Sequence, residues 1–524
     1  MTLGMRTADL VVLLGYLLGI VAFGSWFVRR SRTTKEFVVA GGAVPGWAVG
    51  LSIFGTFLSS NTFLGVPGKA YAENWNALVF SFSLPIAAWL ASRYFVPFYR
   101  RGEAISAYEH LELRFGPWAR TYAVVCYLLT QLARMGTVMF GMALALRPLT
   151  GWDMQTIILI TGGAATIYTL LGGIDAVIWT DVVQSIVLLG GSIVALIIIL
   201  LGMPDGPQQA IAIAAEAGKF SLGSFSLDLT TSTFWVVLLY GLFINLNNFG
   251  IDQNYVQRYH AARSHREAVR SVWLGAMLYL PVSTMFFFIG SSLFSFYQTH
   301  PDDLQALRRQ VAEHRLASGG VNGVDPSIEA VDANLTDRDV GDRAFPRFIA
   351  GRLPPGLAGL VIAAILAAAM SSVDSSLNSS ATVMLYDIYR RYVRPGVDDR
   401  GSMRFLHVAT FLWGAAGTGA ALAMLNVQSV LDAWWKLSGV FAGGMLGLFL
   451  LGLMNRRAGS RAAAVAVFIG VAVILWMTLS RDSRLPPVLW NPFHDHLIIV
   501  FGTAVILVAG FIAGRLMYNQ GRVQ

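Results

Sequence analysis

Apolar runs of about twenty residues recur almost end to end along this chain of 524 residues, separated by short polar connections. A run of that length crosses the hydrocarbon core of a bilayer as a helix, and in lipid each backbone amide must be satisfied within its own segment. The chain is thereby confined to an all-α polytopic membrane fold. Composition agrees, with 55% of residues hydrophobic and 13% charged, against about 25% charged in an average soluble domain. Disorder is excluded and a soluble enzyme disfavoured. Thirteen candidate spans fall at 8–27, 46–66, 76–98, 118–146, 153–173, 176–202, 233–254, 268–298, 356–386, 404–426, 430–454, 461–480 and 496–514. The length suits a single transmembrane domain, 1–524, with a long polar loop at 299–352.

The net charge of +8 suggests nucleic acid only until the basic residues are sorted by connection. Alternate connections and the tail hold 22 Lys and Arg, whereas the other short connections and the N-terminus hold six. Such asymmetry is a topology signal, with the basic side cytoplasmic. The N-terminus is expected outside, the C-terminus and the basic connections inside, and the 299–352 loop outside. That loop mixes nine acidic with seven basic residues and reads as a solvated, partly helical excursion, with a lid as its secondary role. The first span ends at Arg29, Arg30, Arg32 and Lys35 with no basic segment before it, so it reads as a retained span. Cys126 is the single cysteine and lies in an apolar run, which leaves no intrachain disulfide and no thiolate cluster.

Two spans are interrupted. The second carries Gly55, Ser59, Ser60, Asn61, Thr62, Gly65, Pro67 and Gly68; the seventh carries Asn245, Asn247, Asn248, Gly250, Asp252 and Asn254. Kinks packed against small residues would explain either one alone. Both starts are separated by five spans, so the breaks occupy matching positions in two inverted five-helix halves, 46–202 and 233–454, with one extra span before and two (461–514) after. Paired broken helices point to a secondary transporter whose site lies near the bilayer midplane, where freed carbonyls meet a cation and freed amides a polar solute. The ninth span adds the densest hydroxyl cluster, Ser371, Ser372, Asp374, Ser375, Ser376, Asn378, Ser379 and Ser380. Serine faces often serve only close helix packing, but oxygen ligands are also what a small hard cation takes in exchange for water. Charges within or at the ends of spans are costly and so mark candidate functional groups: Arg134, Asp181, Asp252, Asp374, Asp432 and Lys436. Snorkelling to an interface or a structural ion pair is the competing explanation for each.

Taken together, Gly172 to Gln184 with its Trp179-Thr180-Asp181 centre, Gln257-Arg258 to Ser264, and the Ser371 to Ser380 run ending in Tyr386-Asp387 resemble the sodium:solute symporter family, the solute carrier family 5-like carriers. The resemblance runs from about Asp9 to the last span. It implies a LeuT-type fold and transport of sodium with a small solute, with no enzymatic activity. It implies a first sodium site from backbone oxygens of Gly55, Leu58 and Ala368 and the hydroxyls of Ser371 and Ser372. A second sodium site found in some members would use Asp181, Ser371 and Ser375. Asp374 stands where those members have a neutral hydroxyl residue. Two close carboxylates do not both ionise without a cation between them, so Asp374 is expected to hold a second sodium tightly or to relay a proton.

In the sialic-acid carriers of this family an arginine on the fourth span meets the substrate carboxylate, and Arg134 lies on that span. A guanidinium offers a carboxylate two parallel hydrogen bonds. Ser59, Ser60 and Thr62 would add hydroxyl contacts, with Ser81 and Asn248 across the cavity. The sugar-carrier pattern is weaker, since Asn248 replaces an aromatic gate and Asp432 a glutamine-type contact. A carboxylated solute, sialic acid or another sugar acid foremost, is therefore expected in a bacterial-type inner membrane, with the bilayer, sodium and the solute as the only partners. A neutral sugar, polyol or amino acid is the alternative. An intramembrane aspartyl protease using Asp181 and Asp374, a channel and a solute sensor are the readings from other classes.

Overall fold

A computed structural model describes residues 5–102, 104–317, 327–426, 430–480, 486, 488 and 490–520. Of Ser60, Asn61, Ala317, Asn426, 430–441 and 518–520 only the backbone is described. The expectations for the Ser60, Asp432 and Lys436 side chains therefore lie outside the described residues. Among these residues the chain is helical, with one isolated β-bridge, Val44 to Ala262.

The spanning helices are α1 (Thr7–Trp26), α2 (Gly46–Phe57), α3 (Ser60–Ala72), α4 (Trp75–Arg101) and α5 (Pro117–Thr150). The 48 residues Met154–Leu201 follow. At about 1.5 Å per residue that helix would be more than twice as long as a bilayer is thick. It breaks at Gly173 (φ 57°, ψ −150°) into α6 (154–172) and α7 (174–201). Tyr168 and Asp181 would sit about 20 Å apart on a straight helix, yet they bond Asp374 and Ser371, one turn apart. The chain thus turns back at Gly173, where a Cβ would lie 2.5 Å from the Phe37 carbonyl oxygen.

The second half comprises α8 (Phe234–Ile251), α9 (Gln253–Ala261), α10 (His265–Thr299), the loop helices α11 (Pro301–Ala317), α12 (Ile328–Ala333) and α13 (Asp337–Arg352), then α14 (Leu357–Val393), α15 (Asp399–Ala423) and α16 (Val430–Met454). Two more, α17 (Ser460–Leu479) and α18 (Ile498–Gln520), close the chain. Among the described residues ten helices are long and apolar enough to cross a membrane, or eleven with α2 and α3 as one bent span; dividing Met154–Leu201 at Gly173 and adding α16 brings the number to the expected thirteen.

The serine-rich α14 is the most enclosed span, held by α1, α5, α7 and α15. Small residues permit the approach: a Cβ on Gly191 of α7 would meet Ala364 at 2.8 Å. Asp9 of α1 accepts the Gly356 and Gly359 amides at 2.7 and 2.8 Å, capping α14 from another span.

The 299–352 loop departs from a merely solvated excursion. Leu307, Val311, Val340, Ala344, Phe345 and Phe348 are buried in the main core. Phe345 stacks on Phe63 of α3, ring centroids 5.8 Å apart, and Gly341 of α13 packs against the Gly68 carbonyl. The loop is too polar for a core of its own, but the apolar faces of its amphipathic helices complete the core of the spans. Lys219 secures this corner, donating to the Tyr71 carbonyl at 2.5 Å with Asp337 4.0 Å away.

Candidate functional site

Both interrupted spans are broken where the sequence concentrates polar residues. Leu58 (φ −89°, ψ 113°) and Ser59 (φ −114°, ψ 171°) are extended between α2 and α3. The Thr56 carbonyl, freed from its helical partner, accepts Arg134 NH2 at 2.6 Å. Asp252 (φ −78°, ψ 120°) separates α8 from α9, and its Oδ1 accepts the Asn254 amide at 2.8 Å, capping α9.

A cavity of about 220 Å³ lies between the two breaks. Ser59, Thr62, Ser81, Arg134 and Asn248 all line it, joined by Gln131, Asp252 and Tyr279 from the surrounding helices. Ser81 donates across the cavity wall to Ser283 at 2.9 Å. Lys69, Ser232 and His496 line the mouth, at the ends of spans whose connections carry few basic residues. Among the described residues no acidic side chain lies within ion-pair distance of Arg134, although Asp252 shares its cavity. A guanidinium, a wall rich in hydroxyls and amides and an apolar remainder can orient a small polyhydroxylated anion.

Beneath this cavity α2, α7 and α14 converge at Gly55, where an added Cβ would come within 3.0 Å of Ser371 Oγ and 3.2 Å of Ser185 Oγ. Ser372 Oγ reaches the Ala368 carbonyl only at 3.4 Å, a contact easily exchanged for a cation. The five groups expected at the first sodium site are thus distributed on the α2 break and one stretch of α14. They are neutral oxygens, suited to replacing the hydration water of a small ion.

Alongside is a cluster whose members the sequence suggests only in part. Ser371 donates to Asp181 Oδ1, and Ser52 donates to Asp181 Oδ2 at 2.5 Å. Arg258 of α9 then fills the space: NH2 lies 2.9 Å from Asp181 Oδ2 and 2.7 Å from Ser375 Oγ, Nε 2.7 Å from Ser52 Oγ, and NH1 2.8 Å from the Asn254 carbonyl. The pair is dry, 1% exposed for Arg258 and 0% for Asp181. Counted among the basic residues of a connection, Arg258 instead lies inside the bundle and belongs to the site. Asp374 is also buried; Oδ2 accepts the Tyr168 hydroxyl at 2.6 Å, while Oδ1 is buried without a hydrogen-bond partner. Two carboxylates and one guanidinium leave the cluster formally one negative charge in excess, which a monovalent cation or a proton at Asp374 would balance. Tyr16 and Gln184, both polar and facing one another, lie on the α1 and α7 helices that enclose this stretch of α14. Glycine- and asparagine-rich breaks signalled the cavity and Asp252 within it; Arg258 and Tyr168 sit in ordinary helical contexts, and only the tertiary fold brings them in.

The sequence profile of the sodium:solute symporter family matches residues 37–470. The sodium/sialic acid symporter NanT of Aliivibrio fischeri is 32% identical over 98% of this chain and 94% of its own length, and SiaT of Proteus mirabilis 33% identical over 96% and 94%. The human sodium-coupled monocarboxylate transporter 1 is 29% identical over 93% of this chain and 76% of its own length. Among solved structures, a substrate-bound, outward-open Na+-coupled sialic acid symporter superposes with a TM-score of 0.84 at 30% identity over 98% of both chains. Mhp1, a nucleobase-cation-symport transporter, shares the fold at a TM-score of 0.54 and 15% identity over 92% of this chain and 95% of its own. This is a polytopic carrier of LeuT-type fold. The chain belongs to the sodium:solute symporter family, whose members couple solute movement to sodium.

Proposed function

We propose that this protein carries a small carboxylated solute, sialic acid or another sugar acid foremost, into the cell with sodium by alternating access. One observation carries the reading: Arg134 faces a hydroxyl-lined cavity with no carboxylate in ion-pair reach among the described residues. Its relatives named as sialic acid symporters support the choice of solute. Ser59, Ser60, Thr62, Ser81 and Asn248 would bond the hydroxyl and amide groups of the solute.

Sodium at Gly55, Leu58, Ala368, Ser371 and Ser372 would join the α2 break to α14 and stabilise the outward-open form. Because a ligand shifts an equilibrium only by its differential affinity, the coupling depends on the α2 oxygens being in place only in that form. The charge excess at Asp181, Arg258 and Asp374 supports a second cation, sodium or a proton, bound through Asp374 Oδ1. A potential of 100 mV contributes about 2.3 kcal/mol per charge moved, so a second cation multiplies the concentrating power. The excess of basic residues supports a cytoplasmic C-terminus, an outer N-terminus and a plasma-membrane location. The helix order supports inverted repeats at 46–202 and 233–454. No step of this cycle makes or breaks a covalent bond, so the protein acts as a carrier rather than an enzyme.

Counterflow in proteoliposomes against sugar acids, monocarboxylates, amino acids and neutral sugars tests the reading. Saturable, sodium-dependent exchange of a carboxylated solute is expected; exchange confined to neutral solutes would defeat it.

A further inference from the structure

Arg93 is one of three basic residues that the sequence sets within a span, and solute and cation handling leave it unused. It lies in a π-helical segment, Ala91–Phe95, of α4. A π-turn adds a residue to the helical repeat and so re-aims the side chains that follow it. Arg93, Arg100 and Arg101 of α4 and His265 of α10 line one cavity of about 410 Å³ at the basic face of the molecule. No acidic side chain lines it among the described residues.

Each wall of this cavity is built for an anion. Arg100 spends one nitrogen, NH1, on the Tyr259 and Ala262 carbonyls, both at 3.1 Å, which fixes its guanidinium at the C-terminal end of α9. The same side chain lines the cavity. His265 is the first residue of α10, a helix of 35 residues. The amides of His265 and Arg266 precede the first intrahelical bond, Ala268 to Ser264, so the positive end of that helix is present at the rim. Ser92 also lines the cavity, and its Oγ, itself buried, has no hydrogen-bond partner. The surroundings name the source of the anion. Trp89 and Tyr94 on the same helix are 53% and 54% exposed, aromatic rings of the kind that sit at head-group level. A pocket between spans, at the membrane boundary, with three guanidiniums and a helix N-terminus, fits a phosphodiester better than a carboxylate: its two charged oxygens and two ester oxygens are spread tetrahedrally, so guanidiniums can approach from more directions than a planar carboxylate allows.

We infer that the cavity between α4 and α10 is a binding site for the phosphodiester head group of an anionic glycerophospholipid of the cytoplasmic leaflet. Occupancy would tie α4, in the first half of the molecule, to the α9–α10 junction that presents Arg258, and so stabilise the assembled carrier.

The test titrates phosphatidylglycerol into the full-length carrier in neutral detergent and follows its melting temperature. Half-saturation should move about thirtyfold upward in Arg93→Gln/Arg101→Gln, from about 1 kcal/mol per basic residue near a lipid surface. The exposed single variant Arg101→Gln, which leaves the fold untouched, should move it about fivefold on the same basis. Arg400→Gln/Arg404→Gln removes equal charge from another connection on the same face and should leave it unmoved. Three results would overturn the inference: unchanged half-saturation in the Arg93 and Arg101 variants, an equal shift in the control pair, or equal protection by phosphatidylcholine. Equal protection by inorganic phosphate would overturn the lipid assignment, because the site would then read a free anion.

Discussion

Arg134 and Arg258 are both arginines inside the bundle, and the difference between them separates binding from coupling. Arg258 gives its N–H groups to Asp181, Ser375, Ser52 and the Asn254 carbonyl and is closed off from water. Arg134 anchors one nitrogen on the Thr56 carbonyl and leaves the rest of its fork on an open cavity. A satisfied buried guanidinium sets electrostatics and holds elements together. A half-satisfied one at a cavity is a receptor for something that arrives. The last turns of α2, just before the break, are in contact with the solute cavity through Thr56 and with the charge cluster through Ser52 and Gly55.

The sharpest way to break this contrast is to truncate each arginine. Arg258→Ala leaves Asp181 buried without its partner, a loss of about 3–5 kcal/mol for a broken buried pair. The expected outcome is a carrier that fails to survive size-exclusion in detergent, with Arg258→Gln/Asp181→Asn recovering much of the yield. Full stability of Arg258→Ala would show that the guanidinium is not the structural partner of Asp181. Arg134→Ala should behave in the opposite sense, melting within a few degrees of the parent while solute affinity drops about a hundredfold, the lower part of the 2–5 kcal/mol range for truncating one side of a buried charged contact. Undiminished counterflow in that variant would defeat the carboxylate reading.

Asp374 tests the cluster from the other side. With Asp374→Ser the formal charge of Asp181 and Arg258 closes to zero, and the cation-to-solute ratio or its pH dependence should change. Charge-to-solute ratios from solid-supported membrane currents, measured between pH 6 and 8, would read it. An unchanged ratio together with an unchanged pH profile would eliminate any role for Asp374 as a cation carrier.

How much of this was legible in the sequence follows from the physics of each group. The spans, the two breaks and the hydroxyl run are local: runs of apolar residues, helix breakers and serine spacing are read directly from neighbouring positions. Ser59, Thr62, Ser81, Arg134 and Asn248 share one cavity because breaks at matching positions are brought together by the repeat. Arg258 was not legible because a lone arginine near a span end has the same sequence signature as a topology charge; only the α8–α9 break at Asp252 turns it inward. The packing of α13 on α3 was equally hidden, since a polar loop with scattered apolar residues reveals an amphipathic helix but not the surface that receives it.

Arg120 supplies the smallest and most discriminating comparison, a third arginine that is buried and satisfied but shares its network with the partly exposed Glu112. Its Nε lies 2.6 Å from Asp387 Oδ1 and its NH1 2.8 Å from Glu112 Oε2, and Arg391 pairs with the other Glu112 oxygen. Partial burial pushes the Glu112 carboxyl up, but the Arg120 and Arg391 guanidiniums outweigh it and hold the group below the usual glutamate range. A depressed folded pKa means that the stabilisation is fully present above the unfolded value and fades as pH falls through the folded one. Glu112→Gln should therefore lower stability by up to about 1 kcal/mol at pH 7, a modest figure because the side chain touches solvent. The gap between parent and variant should close as the buffer is taken below the ordinary glutamate range, since protonation removes from the parent what the substitution removes from the variant. A gap that stays constant with pH would mean that Glu112 contributes through shape and hydrogen bonding alone. Closure would set Arg120 between its two counterparts: charge-satisfied like Arg258, but through a Glu112 partner that solvent still reaches.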